Sequence, residues 1–142
     1  MSNINWNIIA IARCSAQFRT DKMTPHGLKG IHTGYLCNIC AHPGITQDKL
    51  AQMIYTDKSN VARQVAFLEE HGYITRQSSS ADKRCLELYP TQKSLDLLPE
   101  LHAIVRQWEA LIAKDLTEEE IETVTAILSK MRRSATCWTE ET

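Results

Sequence analysis

The chain has 142 residues, 43% of them hydrophobic and 23% charged, an ordinary globular composition that argues against disorder and allows one domain with a real core. Its formal net charge of -1 hides a gradient: residues 1–43 carry four Lys/Arg against one acid, 44–91 six against six, and 92–142 six against ten, so a surface for nucleic acid is excluded only from the acidic last third. No apolar run approaches the roughly 20 residues that span a bilayer, and the start MSNINWNIIAIARC lacks the pattern of a signal peptide, so the chain is expected to stay in the cytoplasm and away from membranes.

Ile4, Ile8, Ile11, Ala12 and Phe18, with Trp6 and Ile9, recur at near-helical spacing, which predicts a first helix from Ile4 to about Phe18. Pro25, Gly27 and Gly30 in TDKMTPHGLKG break it. A second helix is predicted from about Ile31 to Ala41 and is stopped by Pro43 and Gly44. ITQDKLAQMIYT opens on Thr46 as an N-cap and lines Leu50, Ala51 and Ile54 on one face. DKSNVARQVAFLEEHG opens on Asp57, lines Val61, Val65 and Leu68, and ends at Gly72, the residue best suited to a left-handed cap. Two short helices across a tight polar turn make a helix-turn-helix pattern.

YITRQ then predicts a strand, SSSADK a loop and RCLELYP a second strand, in which Cys85, Glu87 and Tyr89 alternate with Leu86 and Leu88. A long helix follows from about Gln92 to Lys114 on Leu95, Leu98, Leu101, Val105, Trp108 and Ile112, and Pro99 is expected to kink it. LTEEEIETVTAILSKM opens the last helix on a capping box, Thr117 with Glu120.

From Pro43 to Thr91, PGITQDKLAQMIYTDKSNVARQVAFLEEHGYITRQSSSADKRCLELYPT resembles the MarR-type winged-helix transcriptional regulators, and the order of helices outside that stretch agrees with the same family. The most specific feature is the wing: Arg76 in the first strand, a polar loop, Asp82-Lys83-Arg84, an alternating strand and Thr91 opening the next helix. Pro90 and Ser94 stand where relatives commonly have Leu and Gly, so the exit from the wing is expected to differ locally. The resemblance implies a mainly α fold with a small β-hairpin wing, divided into N-terminal helices (1–42), a winged helix-turn-helix (43–91) and C-terminal dimerisation helices (92–142). It implies an obligate homodimer on a pseudo-palindromic double-stranded DNA operator, commonly a repressor released by a ligand or by thiol oxidation. A physical reason for the dimer stands beside it: WNIIAIA, and Cys137-Trp138 near the end, offer more apolar surface than a small winged helix covers.

A recognition helix must present short hydrogen-bonding residues and a long cation at its N-terminal turns. Ser59, Asn60 and Arg63 are therefore expected to read bases, with Gln64 on the same polar side, and Lys58 to hold a phosphate. Thr46 and Gln47, at the start of the preceding helix, are expected to donate to phosphate. On the wing, Arg84 suits the minor groove and Lys83 the backbone, Ser80 and its neighbours keep the tip small and can donate to phosphate, and Asp82 and Arg76 support the loop.

The switch is left open by the residues. Cys37 and Cys40 form a Cys-x-x-Cys with histidines near in sequence, but the four ligands of a zinc site are missing, and small core residues are the alternative. Cys14 lies on the first helix, where thiol-based sensors of the family keep their reactive cysteine, although the aromatic residues that follow it there are absent from CSAQFRTD. Five cysteines, an odd number widely spread, point to reduced thiols. Many members of the family bind phenolic or other aromatic acids between the winged helix and the dimerisation helices; lining residues here would include Arg13, His26, His32 and Tyr35. No metal and no cofactor is expected. Without a phosphate loop, nucleophile elbow or catalytic histidine spacing, the chain is not expected to be an enzyme. A winged helix used only as a protein-interaction module is the competing reading.

Overall fold

The computed structural model describes residues 3–140, with side chains described as far as Cys137. Trp138, one of the apolar residues expected on the last helix, lies outside the described side chains. Helix α1 (Ile4–Met23) is capped by Asn3, whose side chain accepts the Trp6 N–H. It runs five residues past its expected end, and a 3-10 turn at Thr24–His26 follows. Pro25 sits inside that turn, where its fixed φ is tolerated, so the break falls at the proline. Gly30 then passes so close to α1 that a Cβ would lie 2.7 Å from the Ala16 carbonyl oxygen and 2.8 Å from the Thr20 backbone nitrogen. The Gly30 N–H instead donates to Thr20 Oγ1 at 3.1 Å. Helix α2 (His32–Ala41) starts from that contact.

A two-residue strand β1 (Ile45–Thr46), not expected from sequence, leads into α3 (Gln47–Met53), α4 (Lys58–Glu70), β2 (Ile74–Ser78) and β3 (Leu86–Pro90). The strands form an antiparallel sheet in the order β1-β3-β2, with Ile45 opposite Leu88 and Arg76 also opposite Leu88. The predicted hairpin is therefore present and gains a third strand, which ties its base to the start of α3. Thr46 caps α3 and Asp57 caps α4 by accepting the Lys49 and Asn60 N–H groups. Gly72 takes the left-handed φ of +79° that ends α4 and turns the chain into β2.

Helix α5 (Gln92–Ala113) runs unbroken across Pro99, and α6 (Glu118–Glu140) opens on a reciprocal capping box: Glu120 N–H to Thr117 Oγ1 at 3.1 Å and Thr117 N–H to Glu120 Oε1 at 3.2 Å. The chain forms two compact units that divide inside α5, one up to Arg106 and another from Gln107. The first unit holds a continuous core of Met23, Leu36, Ile39, Leu50, Val61, Val65, Leu68, Ile74, Leu88 and Leu101, with Leu28, Tyr35, Ile104 and others around it. In the second unit the α6 residues Ile121, Val124, Ile127 and Leu128 are 37–50% exposed.

At the exit from the wing, Pro90 ends β3 and α5 begins two residues later. Ser94 is fully buried and its hydroxyl donates to the Tyr73 carbonyl, which also accepts the Thr91 N–H at 3.1 Å. Thr91 Oγ1 donates to the Gly72 carbonyl at 2.6 Å, and Lys93 Nζ to the His71 carbonyl at 2.9 Å. These residues staple the start of α5 to the turn between α4 and β2. Because Tyr73 O keeps its second donor, Ser94→Ala should cost about 1 kcal/mol in denaturant unfolding, the size of one ordinary hydrogen bond; no loss would mean the staple is redundant.

His32 is fully buried, as are the polar residues Thr33 and Ser94. Its Nδ1 accepts the Lys29 N–H at 2.9 Å, its Nε2 faces Gln64 Oε1 at 2.8 Å, and its ring stacks on Phe67 at 4.9 Å. Burial lowers its pKa, against a smaller raising effect of the Gln64 bond and with small lowering effects of Lys29 and His71. The native ring thus resists protonation while the unfolded one takes a proton near pH 6.5, so stability falls as pH drops below about 6.5 and levels off below the native pKa. Thermal unfolding between about pH 7.5 and 5.5 should show a decline that flattens in His32→Gln; equal slopes in both proteins would contradict this.

Candidate nucleic-acid interface

Asp57 fixes the start of α4, so the side chains of Lys58, Ser59 and Asn60 fall on its first turn and Arg63 one turn on. Lys58, Ser59 and Arg63 are exposed and Asn60 is half-buried. Lys58 Nζ lies 3.6 Å from Asp48 Oδ2 in a largely exposed pair, a contact of little strength that phosphate can replace. Asn60 is more tightly placed: its Nδ2 donates to Thr56 Oγ1 at 3.1 Å, and its Oδ1 accepts from Arg63 and from Gln64, both at 3.4 Å. Gln64 differs from the expectation. Its oxygen is taken by the buried His32, so it faces the core and not the outer polar side of α4.

The wing is joined to the same helix. Arg76, in β2, donates from Nε and Nη2 to Glu69 Oε1 at 3.2 and 2.9 Å, and its backbone N–H donates to Glu69 Oε2 at 3.1 Å. These bonds hold the Glu69 carboxyl below its ordinary pKa, chiefly through the arginine side-chain hydrogen bond. At the tip, the Asp82 carboxylate accepts the Arg84 N–H at 2.9 Å while its carbonyl accepts the Cys85 N–H at 3.0 Å. Asp82 thereby folds the loop beneath Lys83 and Arg84. Ser80, Lys83 and Arg84 are exposed, and no ion pair or hydrogen bond among the described residues takes up the two cationic side chains.

β1 brings these parts together. Thr46, Gln47 and Asp48 line one small cleft with Arg84, Cys85 and Leu86, so the start of α3 and the root of the wing form one surface. The two-residue strand that causes this pairing is too short to leave a periodic signal. A second feature missed from sequence is Tyr55, a non-glycine residue at φ +55° in the turn between α3 and α4 and 66% exposed.

Of the four residues expected to line an effector pocket, His32 and Tyr35 meet edge to face with ring centroids 6.5 Å apart. Arg13 is exposed on α1, His26 lies 3.0 Å from Glu100 and accepts the Tyr73 hydroxyl through its carbonyl at 3.2 Å, and His32 is enclosed in the core. Tyr35 lines a cleft, of about 200 Å³, with Arg19, Ile31, Gly34, Ile54, Thr56 and Asn60. Its hydroxyl is buried and has no hydrogen-bond partner among the described residues. Burial, with a smaller effect of Asp57, raises the Tyr35 pKa, and burial lowers that of Arg19. Arg19, which the sequence reading passed over, donates to the Ser15 carbonyl at 3.3 Å and the Gly30 carbonyl at 3.5 Å.

Cys37 and Cys40 are half-buried, with Cys37 packed against the core, and burial raises both thiols. Cys14 is exposed. No group of three or more His, Cys, Asp and Glu residues that could hold a metal gathers among the described residues, and none of the described helices is long and apolar enough to cross a membrane.

Comparison with known proteins agrees with this geometry. Residues 33–86 match the MarR family model. Over 100 residues, 70% of this chain and 67% of the relative, the sequence is 34% identical to YybA of Bacillus subtilis (strain 168), an uncharacterized HTH-type transcriptional regulator. Among solved structures, the MarR protein of Peptoclostridium difficile DA00132 is similar with a TM-score of 0.95 at 26% identity, over 99% of this chain and 93% of that one. The transcriptional regulator SlyA is similar at 0.91 and 28%, over 94% of both chains. A MarR family structure from Listeria monocytogenes complexed with a 26mer DNA is similar at 0.88 and 28%, over 94% and 89%. The chain belongs to the MarR family of helix-turn-helix transcriptional regulators.

Proposed function

We propose that the chain is a sequence-specific DNA-binding repressor that acts in the cytoplasm as a homodimer on a pseudo-palindromic operator and is released by a small aromatic or phenolic effector. The observation that carries the reading is the clamp of Arg76 on Glu69, which joins the last turn of α4 to the first strand of the wing and so ties the helix that bears the exposed polar start to the hairpin that bears the exposed cationic tip. In this reading Ser59, Asn60 and Arg63 meet base edges in the major groove, while Lys58, Thr46, Gln47 and Ser80 hold phosphates. Arg84 enters the minor groove, where a cation is most favoured, and Lys83 meets the backbone beside it. Gln64 supports the site from behind. The chain acts by binding and not by turnover.

The dimer is supported by apolar surface. On α1, Ile4 and Trp6 are 67% and 54% exposed, with Ile8 and Ile11 near half; α6 exposes its own row from Ile121 to Leu128. Such rows on long terminal helices are what a second copy covers. The effector is supported by the cleft at Tyr35, whose unpartnered buried hydroxyl suits a small polar acceptor, and which reaches Thr56 and Asn60 at the start of α4.

The assignment of roles separates two variants by fluorescence anisotropy on duplex DNA. Arg84→Ala should weaken binding by about 1–3 kcal/mol, whereas Lys58→Ala should weaken it evenly across sequences and lower the salt slope by about one. Unchanged affinity of Arg84→Ala at fixed salt would leave the wing as scaffolding and favour a protein-interaction module. In sedimentation velocity the chain should run as a dimer, and Ile127→Glu with Leu128→Glu should dissociate it; a wild-type monomer would remove the palindromic reading.

A further inference from the structure

His32 and Gln64 lie 32 residues apart on α2 and α4, yet with Asn60 they form one line of hydrogen bonds from the core to the start of the recognition helix. The direction of the line is set at its inner end. The Lys29 backbone N–H can only donate, and it points at His32 Nδ1 from 2.9 Å. Nδ1 therefore carries a lone pair, and the neutral ring has its proton on Nε2. That proton is donated to Gln64 Oε1 at 2.8 Å. The Gln64 amide group must then turn its NH2 outward, to Asn60 Oδ1 at 3.4 Å. Asn60 in turn directs its NH2 to Thr56 Oγ1 at 3.1 Å, while Arg63 adds a second donor to Asn60 Oδ1. His32 cannot rotate to reverse the sequence, because it is fully buried and stacked on Phe67, and reversal would leave the Lys29 N–H facing another donor.

We propose that His32 and Gln64 are positioning residues for DNA recognition: they hold the Asn60 amide with its oxygen engaged inside the protein, so that it offers DNA an N–H donor and not a paired donor and acceptor. The inference rests on the DNA-binding reading above and adds a specificity rule to it. An asparagine with both ends available pairs bidentately with adenine through N6 and N7. One whose oxygen already accepts two protein donors is left to read an acceptor, and guanine O6 and thymine O4 present one where adenine presents its N6 donor.

The test uses the full chain as wild type, Gln64→Met and Gln64→Glu. Methionine fills a similar volume and ends the line; glutamate still accepts from His32 but has no NH2 for Asn60. Each protein is titrated against an operator recovered by selection from random duplexes and against every single-base-pair replacement in one half-site. The wild type should prefer guanine or thymine over adenine at one position by about fivefold to tenfold, the low end of what a bidentate contact supplies. Both variants should lose that preference or move it to adenine, with the preferences elsewhere in the half-site retained. A uniform weakening at every position, as from a merely structural role, or an unchanged profile in both variants, would overturn the proposal. A second readout needs no DNA. In 15N–1H spectra, His32 should carry its proton on Nε2, and the Asn60 side-chain NH2 signals should shift in Gln64→Met. If they stay in place, the line does not orient Asn60. If they shift as expected while the wild type enriches no duplex, the DNA-binding reading has failed, and the specificity rule falls with it.

Discussion

Arg76 reaches back across the Gly72 turn and gives Glu69 three hydrogen bonds, two from its guanidinium and one from its backbone. Charge-assisted bonds of this kind constrain orientation as well as distance, and here they join the last turn of α4 to the first strand of the wing. Their energy is discounted by exposure, since the two side chains are 28% and 37% accessible. Their geometric effect is not. An α-helix and a two-stranded ribbon meeting at a left-handed glycine have a free angle between them; the arginine fork removes that freedom, and Thr91, Lys93 and Ser94 close the same turn from the side of α5. The proposed function needs this rigidity, because a helix and a loop that enter neighbouring grooves must keep one spacing.

A second constraint runs inward. A buried histidine is costly unless both ring nitrogens are paired, and His32 is paired at both. The pairing consumes Gln64, a residue whose position on the helix alone suggests a DNA contact. One glutamine thus serves the core and, through Asn60, the outer surface. The cleft at Tyr35 shares Thr56 and Asn60 with that surface, so an effector bound there would act on the same side chains and need no long path.

Local chemistry was legible in the sequence and long-range pairing was not. The caps at Thr46, Asp57 and Thr117 act over three residues, so their spacing is written in the chain, and each is found in place. The wing follows from alternation and a polar loop, and Asp82 is found bracing Arg84 as its position implied. The break at Pro25 was legible, but α1 continues to Met23 because the polar residues after Phe18 carry no apolar period by which to place its last turn. β1 escaped because two residues have no period, although its pairing with β3 joins the wing to α3. Gln64 was assigned outward because its partner lies 32 residues away in another helix. Arg19 carries no motif that marks it in the sequence, and only the fold brings it to the cleft at Tyr35.

The central claim is that two copies of a clamped helix and wing read one operator. Selection from a random duplex pool with the purified chain at near-physiological salt, followed by sequencing of the bound fraction, tests it most directly. The account predicts a pseudo-palindrome with half-sites about one helical turn apart. A pool left unenriched, both with reductant and chelator present and without them, or a single unpaired half-site, would contradict it.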